Sequence, residues 1–375
     1  MLLRILISAV FLFSVLISQA QVAVRLELNE LPSKHPKNDP VYIAGSFNAW
    51  NPADERYKFR QGQDGKYFLE LNLATGLHEY KITRGTWAKV ECKENGERIL
   101  NKTLKIENAA TIKINVEDWQ DMRAAPSKKS TASKNVQVIK NSFFIPQLNR
   151  TRRVWIYLPE NYATSRERYP VLYMHDGQNI FEDSTSYSGE WGIDEFLDST
   201  KAKKCIVVAI DHGNASRLNE YCPYDMTRFG KGEGNQYVTF LAKTLKPYID
   251  RRYRTLRKRQ YTYIAGSSMG GLISFYAMLK YPKVFGGAGV FSPAFWIAPG
   301  IYDDIRAKGK KVKSRIFFYA GKQEGETMVP QLLKAFGEIA AISHSKITTV
   351  IRDEGKHNEA TWRMEFPLFY QWIIQ

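Results

Sequence analysis

The chain has 375 residues, with 54 Lys and Arg against 38 Asp and Glu and a formal net charge of +16. The basic residues are spread along it rather than gathered on a nucleic-acid-binding motif, so no nucleic-acid partner is expected, and the excess reads as solvated surface or as attraction to an anionic polysaccharide or membrane surface. Three cysteines, Cys92, Cys205 and Cys222, lack zinc-ligand spacing and form an odd count; a domain of roughly 240 residues folds without a disulfide framework, and none is predicted.

Arg4 precedes the apolar run Ile5 to Ile17, which Ser18-Gln19-Ala20 closes with small residues. This pattern predicts a cleaved secretory signal over residues 1–20, a mature start at Gln21 and a secreted or periplasmic location. The run is short for a membrane span, so no integral span is expected, and no cysteine follows the cleavage point to carry a lipid. Short alternating runs at Val41 to Ala44, Tyr67 to Leu73 and Thr111 to Val116, separated by turn signals such as Asp64-Gly65, predict a β-sandwich over residues 21–118. Residues 119–135, with the polar, aperiodic stretch Ala124 to Lys134, read as a flexible linker.

From residue 136 to 375 the pattern changes to α/β. Apolar runs at Val171 to Met174, Cys205 to Ile210, Tyr261 to Ala265, Gly287 to Phe291, Ile316 to Tyr319 and Ile347 to Ile351 read as buried strands. Between them, Tyr237, Phe240, Leu241, Leu245 and Ile249 recur at helical spacing, as do Leu332, Leu333, Phe336, Ile339 and Ala340. This alternation predicts a mainly parallel sheet covered by helices on both faces.

Gly266-Ser267-Ser268-Met269-Gly270 is a G-x-S-x-G pentapeptide between a strand-like and a helix-like run, the setting of a serine nucleophile on a sharp turn. A serine hydroxyl needs a histidine to take its proton and a carboxylate to orient that histidine. Only His344 and His357 follow Ser268. His357 lies beyond the carboxyl end of a predicted strand, where α/β sheets place their working groups, whereas His344 lies at the opposite end. The preceding strand runs into Gly321-Lys322-Gln323-Glu324-Gly325-Glu326, which makes Glu324 the candidate acid and Glu326 the alternative. The backbone N–H groups of Met269 and Gln178 are the candidate oxyanion donors. His175 and Asp176 are read as loop scaffolding, and no metal or cofactor is expected.

Arg153 to Pro159, Tyr169 to Asn179, Ile210-Asp211-His212-Gly213, Arg217 to Tyr221 and Gly266 to Gly271 together resemble the esterase D-like family of α/β-hydrolases, over nearly all of the chain from Val136 onward. That family includes feruloyl and acetylxylan esterases, enterochelin esterases and S-formylglutathione hydrolases. The resemblance implies Ser268 as nucleophile, His357 as base, and Met269 and Gln178 as oxyanion donors. Many members carry aspartate where this chain has Glu324, a departure that bears on the acid more than on the mechanism. Arg217 and Glu220 are candidates either for substrate contact or for pairing with each other, and Trp191 and Trp296 either for walling an acyl or sugar site or for core packing.

Val41 to Pro52 and Gly76 to Trp87 resemble the starch- and glycogen-binding β-sandwiches. This resemblance implies that Trp50 and Trp87 stack on a sugar while Lys81 and Asn101 bond its hydroxyls; the alternative is a module that only positions the enzyme. The whole reading is a secreted serine carboxylesterase acting on an acylated polysaccharide or oligosaccharide, with α-glucan binding by the N-terminal module. The alternatives are a siderophore esterase, an acyltransferase, and a carbohydrate-binding protein without catalysis.

Overall fold

The computed structural model describes residues 21–48, 50–123, 130–186, 189–227 and 229–374. The predicted signal, residues 1–20, and the first part of the predicted linker, 124–129, lie outside the described residues. The chain divides into two compact units, Met1–Ala125 and Pro126–Gln375.

In the first unit, Gln21–Glu30 forms a ten-residue strand in which Val24, Leu26 and Leu28 point inward and Arg25 and Glu27 point out, the two-residue period of a half-buried strand. It pairs antiparallel with Tyr67–Ala74 and parallel with Ala110–Asn115. A second, antiparallel sheet joins Tyr42–Gly45, Gly76–Thr83 and Lys102–Ile106. Ile43, Ile82 and Leu104 of one sheet share a core with Leu26, Leu69 and Ile114 of the other, which makes the unit a β-sandwich. Trp119 is fully buried in this core, and Asp118–Trp119 pairs with Glu91–Cys92. The sandwich therefore extends past residue 118, because a buried indole cannot belong to a free linker.

The second unit is built on eight strands: β1 (Val136–Ile145), β2 (Arg150–Tyr157), β3 (Val171–His175), β4 (Ile206–Ile210), β5 (Thr262–Ser267), β6 (Gly287–Phe291), β7 (Arg315–Gly321) and β8 (Lys346–Arg352). Their order is β1-β2-β4-β3-β5-β6-β7-β8, parallel from β4 to β8 and antiparallel at β1 and β2. Successive side chains of one strand enter different cores: Val171 and Tyr173 pack on one face, Leu172 and Met174 on the other. Burial on both faces explains why these strands read as continuous apolar runs.

Helices α1 (Met269–Lys280) and α2 (Met328–Ile342) cover the first face, and α3 (Glu359–Ile373) covers the second. The helix expected around Tyr237 to Ile249 is present but passes through a π-helical turn, Leu241–Leu245, between Gly234–Phe240 and Lys246–Arg252. Cys92, Cys205 and Cys222 are all buried and free. Among the described residues no helix is long and apolar enough to cross a membrane.

The later part of the predicted linker is not free of the second unit. Ser130 Oγ donates to Glu182, Thr131 Oγ1 to Glu190 at 3.1 Å, and the Ser133 amide to Asp194 at 2.7 Å. These three carboxylates are nearly enclosed, and each takes at least one hydrogen bond from residues 130–133.

Candidate active site

β5 ends at Ser267 and α1 begins at Met269, which leaves Ser268 alone on the turn with φ 58° and ψ −120°. Such a backbone costs a non-glycine residue on the order of 1–3 kcal/mol, so neighbours must hold it. The Ser268 amide donates to the Phe291 carbonyl at 2.9 Å, and the Ser268 carbonyl accepts from Leu272 and Ala294, each at 3.1 Å. Space is the second constraint. A Cβ on Gly271 would lie 2.7 Å from the Phe291 carbonyl oxygen, and one on Gly266 would lie 3.0 Å from both the Gly270 carbonyl carbon and His175 Cδ2.

Two strands along, β7 delivers Glu324 and β8 delivers His357, both beyond their carboxyl ends. His357 Nδ1 meets Glu324 Oε2 at 2.7 Å, and the glutamate side chain is fully enclosed. With the carboxylate as acceptor, Nδ1 carries the proton and Nε2 is the basic nitrogen. The other glutamate oxygen accepts from Ser292 Oγ at 2.8 Å and from the Gly321 amide at 2.6 Å. Ser292 in turn accepts from the Trp362 indole at 2.9 Å, and the same indole packs edge-on against His357 at 5.0 Å between ring centroids. Glu324 is thus the carboxylate that meets the histidine, while Glu326 is exposed. His344 is exposed near the start of β8, at the other end of the sheet.

Beyond β3 the chain turns through Asp176, in the left-handed region at φ 56°, into the single turn Gly177–Asn179. A Cβ on Gly177 would sit 2.8 Å from Ile210 and 2.9 Å from the Asp211 amide, so only glycine lets this loop lie against the end of β4. Gln178 Oε1 accepts from the His212 amide at 3.2 Å, and the Gln178 carbonyl accepts from Thr185 Oγ1 at 2.8 Å. Met269 opens α1, where the first amides have no partner within the helix.

Buried charge beneath this loop is matched. Arg217 grips Asp176 with two bonds of 2.7 and 2.8 Å. Burial pushes the Asp176 carboxyl up, but the guanidinium charge and its bonds outweigh that and hold it below its ordinary value. His175 is buried beside Tyr237, at 3.0 Å from its hydroxyl, and desolvation lowers its pKa to about 4. Its ring is neutral, in keeping with a scaffold role under the serine turn.

Glu359, two residues after His357, accepts from the Asn179 side chain at 3.1 Å. It joins the histidine loop to the Gly177–Asn179 turn. Burial, reinforced by the Asp176 carboxylate, raises its pKa to about 7.

The remaining sequence candidates separate. Arg217 and Glu220 do not pair with each other. Glu220 is fully buried and takes Arg150 at 2.7 Å and also Arg152, so it serves the scaffold rather than a ligand. Trp191 is 3% exposed, stacked on Trp362 and edge-on to Phe291; it is core and walls no site. Trp296 is 44% exposed on the loop after β6.

In the sandwich, Trp50 and Trp87 lie 6.3 Å apart, tilted by 39°. Lys81 is buried and donates to the Ile99 carbonyl at 2.6 Å, and Asn101 bonds Glu79 at 3.2 Å.

Reasoning from sequence missed Ser292, Trp362 in its indole-bonding role, and Glu359. Ser292 follows directly on a predicted strand end, the one signal available for it. A polar cavity of about 380 Å³ lies at the end of β4, lined by Asn141, Arg152, Arg153, Asp211, His212 and Asn214 among others; of these, His212 bonds the Gln178 side chain through its amide.

A strained serine between strand and helix, with a carboxylate–histidine pair on the next loops of an eight-stranded α/β sheet, defines the α/β-hydrolase class. The family model described as "Putative esterase" matches residues 145–368, and the chain belongs to this family of ester hydrolases. It is 26% identical over 235 residues to an endo-1,4-beta-xylanase/feruloyl esterase of Xylanibacter ruminicola, covering 61% of this chain and 30% of that protein. It is 45% identical over 93 residues to an alpha-amylase of Niallia circulans, covering 24% of this chain and 7% of the amylase. The chain therefore spans less than a third of either relative. The solved enterochelin esterase of Shigella flexneri superposes with a TM-score of 0.55 at 16% identity, over 95% of this chain and 92% of that one, a likeness of fold.

Proposed function

We propose that the protein is an exported serine carboxylesterase that removes acetyl or feruloyl groups from a polysaccharide or oligosaccharide through an acyl-enzyme. The observation that carries this reading is the enclosed 2.7 Å Glu324–His357 bond, on the loops that follow the strained Ser268 turn along the sheet. In this mechanism His357 Nε2 takes the Ser268 proton as Oγ bonds the ester carbonyl carbon. The Met269 and Gln178 amides hold the resulting oxyanion. On collapse the carbon–oxygen bond to the alcohol breaks, and His357 returns the proton to that alcohol. Water then attacks the acyl-enzyme by the same route and releases the acid.

The polar cavity at the end of β4, whose His212 bonds Gln178, supports a hydroxyl-rich alcohol partner, since its lining offers amide, guanidinium and carboxylate groups rather than an apolar wall. The xylanase/feruloyl esterase and amylase relatives support a polysaccharide setting, and the tryptophan pair of the sandwich supports sugar contact there. Export rests on the leader-like residues 1–20. The test is a panel of acetyl, feruloyl and longer-chain esters, a siderophore ester included, with wild type and Ser268→Ala. Turnover of acetyl or feruloyl esters that falls by several orders of magnitude in the variant supports the proposal. Exclusive use of the siderophore ester would replace the substrate; turnover that survives the change would remove the mechanism.

A further inference from the structure

The larger of the two cavities described in the second unit, about 460 Å³, lies at the end of the sheet away from the serine, where β5, β6, β7 and β8 begin. Its lining contains Lys203, Arg259, Lys313, Arg315 and Lys346 and no Asp or Glu. Among the described residues none of these five cations forms an ion pair. Elsewhere in the same unit Arg153, Arg217, Lys246 and Lys308 each meet a carboxylate at 2.6–2.8 Å.

Two of the cations are held in place by neutral groups. Arg259 donates to the Lys313 carbonyl at 2.7 Å and to the Pro282 carbonyl at 3.2 Å, and Arg315 stacks over Trp372 at 4.5 Å while bonding its carbonyl. Arg315 Nε is buried without a partner. At Gly286 a Cβ would lie 2.2 Å from the Arg259 carbonyl oxygen, so the floor closes only around glycine. Like charges brought together without counter-charge repel one another, and a ligand that relieves the repulsion gains by it. The cavity volume falls in the range of small-ligand sites, roughly 300–1,000 Å³, and five cations from four segments of the chain suit several anionic groups rather than one.

We propose that this recess binds a small multivalent oxyanion, with phosphate or carboxylate groups carried close together. The proposal is independent of the ester-hydrolase reading, because it draws on none of the same residues. Tripolyphosphate and trigalacturonate present the shared chemistry from two sources. Calorimetric titration of the full chain with each, at low and at physiological salt, identifies the source.

The expected result is salt-sensitive binding of at least one probe by wild type, weakened at least about tenfold by the double change Lys313→Glu and Lys346→Glu. Lys140→Glu, an exposed cation on β1, is expected to leave that binding unchanged, and the double variant to keep wild-type turnover of p-nitrophenyl acetate. Should charge reversal unfold the chain, Lys313→Gln with Lys346→Gln carries the same test. Absence of binding by wild type at low salt, equal affinity in the double variant, or an equal loss in Lys140→Glu would each overturn the proposal, the last because it would mark a diffuse charge effect.

Discussion

The two ends of the eight-stranded sheet handle charge in opposite ways. At the carboxyl end, Glu324 and Asp176 are enclosed with both oxygens bonded, to His357, Ser292 and the Gly321 amide and to Arg217, and enclosed Glu220 takes Arg150 and Arg152 on one oxygen. At the amino end, five cations line an open recess with no carboxylate among them. The difference separates two tasks. Reaction chemistry needs groups whose positions and protonation states are settled before substrate arrives, and matched, buried partners provide this. Attraction of an anion needs charge that the fold has left uncompensated.

The largest effect that bears on this contrast is expected from Glu324→Ala. It removes the group that orients His357 and leaves Ser292 Oγ and the Gly321 amide without their acceptor, so kcat should fall by about 10²–10⁴-fold with little change in KM. Turnover of wild-type size would show that the 2.7 Å bond is incidental. Arg217→Met should also act strongly, because it strands the Asp176 carboxylate under the serine turn; a loss of about 3–5 kcal/mol in chemical denaturation is expected. A variant as stable as wild type would mean that the pair contributes nothing to holding the turn.

Glu359, at the carboxyl end, makes stability depend on pH. Its carboxyl holds a proton more tightly in the folded chain, with a pKa of about 7, than in the unfolded one, where it is ordinary. Protonation favours the fold below the unfolded value, and the gain is lost as pH rises through about 7. Glu359→Gln keeps the acceptor for Asn179 without the charge, so its Tm advantage over wild type should grow from about pH 5 to pH 8 and then level off, on the order of 5 °C. Glu190 and Asp194, also raised to about 7 by burial, are common to both proteins and cancel in the difference. A constant difference across pH would contradict the assignment. The smallest effect is expected in the sandwich, where Trp87→Ala should weaken retention on immobilised amylopectin a few-fold while leaving ester turnover unchanged.

Much of the carboxyl end was legible in the sequence because its constraints are local. A strained serine needs small neighbours, and Gly266, Gly270 and Gly271 stand beside Ser268; strands buried on both faces must read as apolar runs, and those runs locate the loops that carry Glu324 and His357. What escaped depends on contacts far apart in the chain. The three-residue spacing of Arg217 and Glu220 suggests a helical pair, yet Arg217 turns to Asp176 and Glu220 to the arginines of β2. Trp191 looks like a ligand wall on its loop, and only the fold shows Trp362 stacked against it. Lys81 matches a sugar-binding pattern, but the sandwich directs its ammonium to the Ile99 carbonyl. β1 and β2 gave weak strand signals because β1 is an edge strand with irregular register and mostly exposed side chains. The cationic recess was invisible because its members are ordinary surface residues until four strand starts bring them together.

The central claim, that Ser268 is a nucleophile activated by the Glu324–His357 pair, is tested most directly by fluorophosphonate labelling of the folded full chain followed by peptide mass spectrometry. The account predicts one adduct, on Ser268, absent in Ser268→Ala and formed far more slowly in His357→Ala. Folded wild-type protein that takes up no label, or a Ser268→Ala variant labelled as fast as wild type, would contradict it.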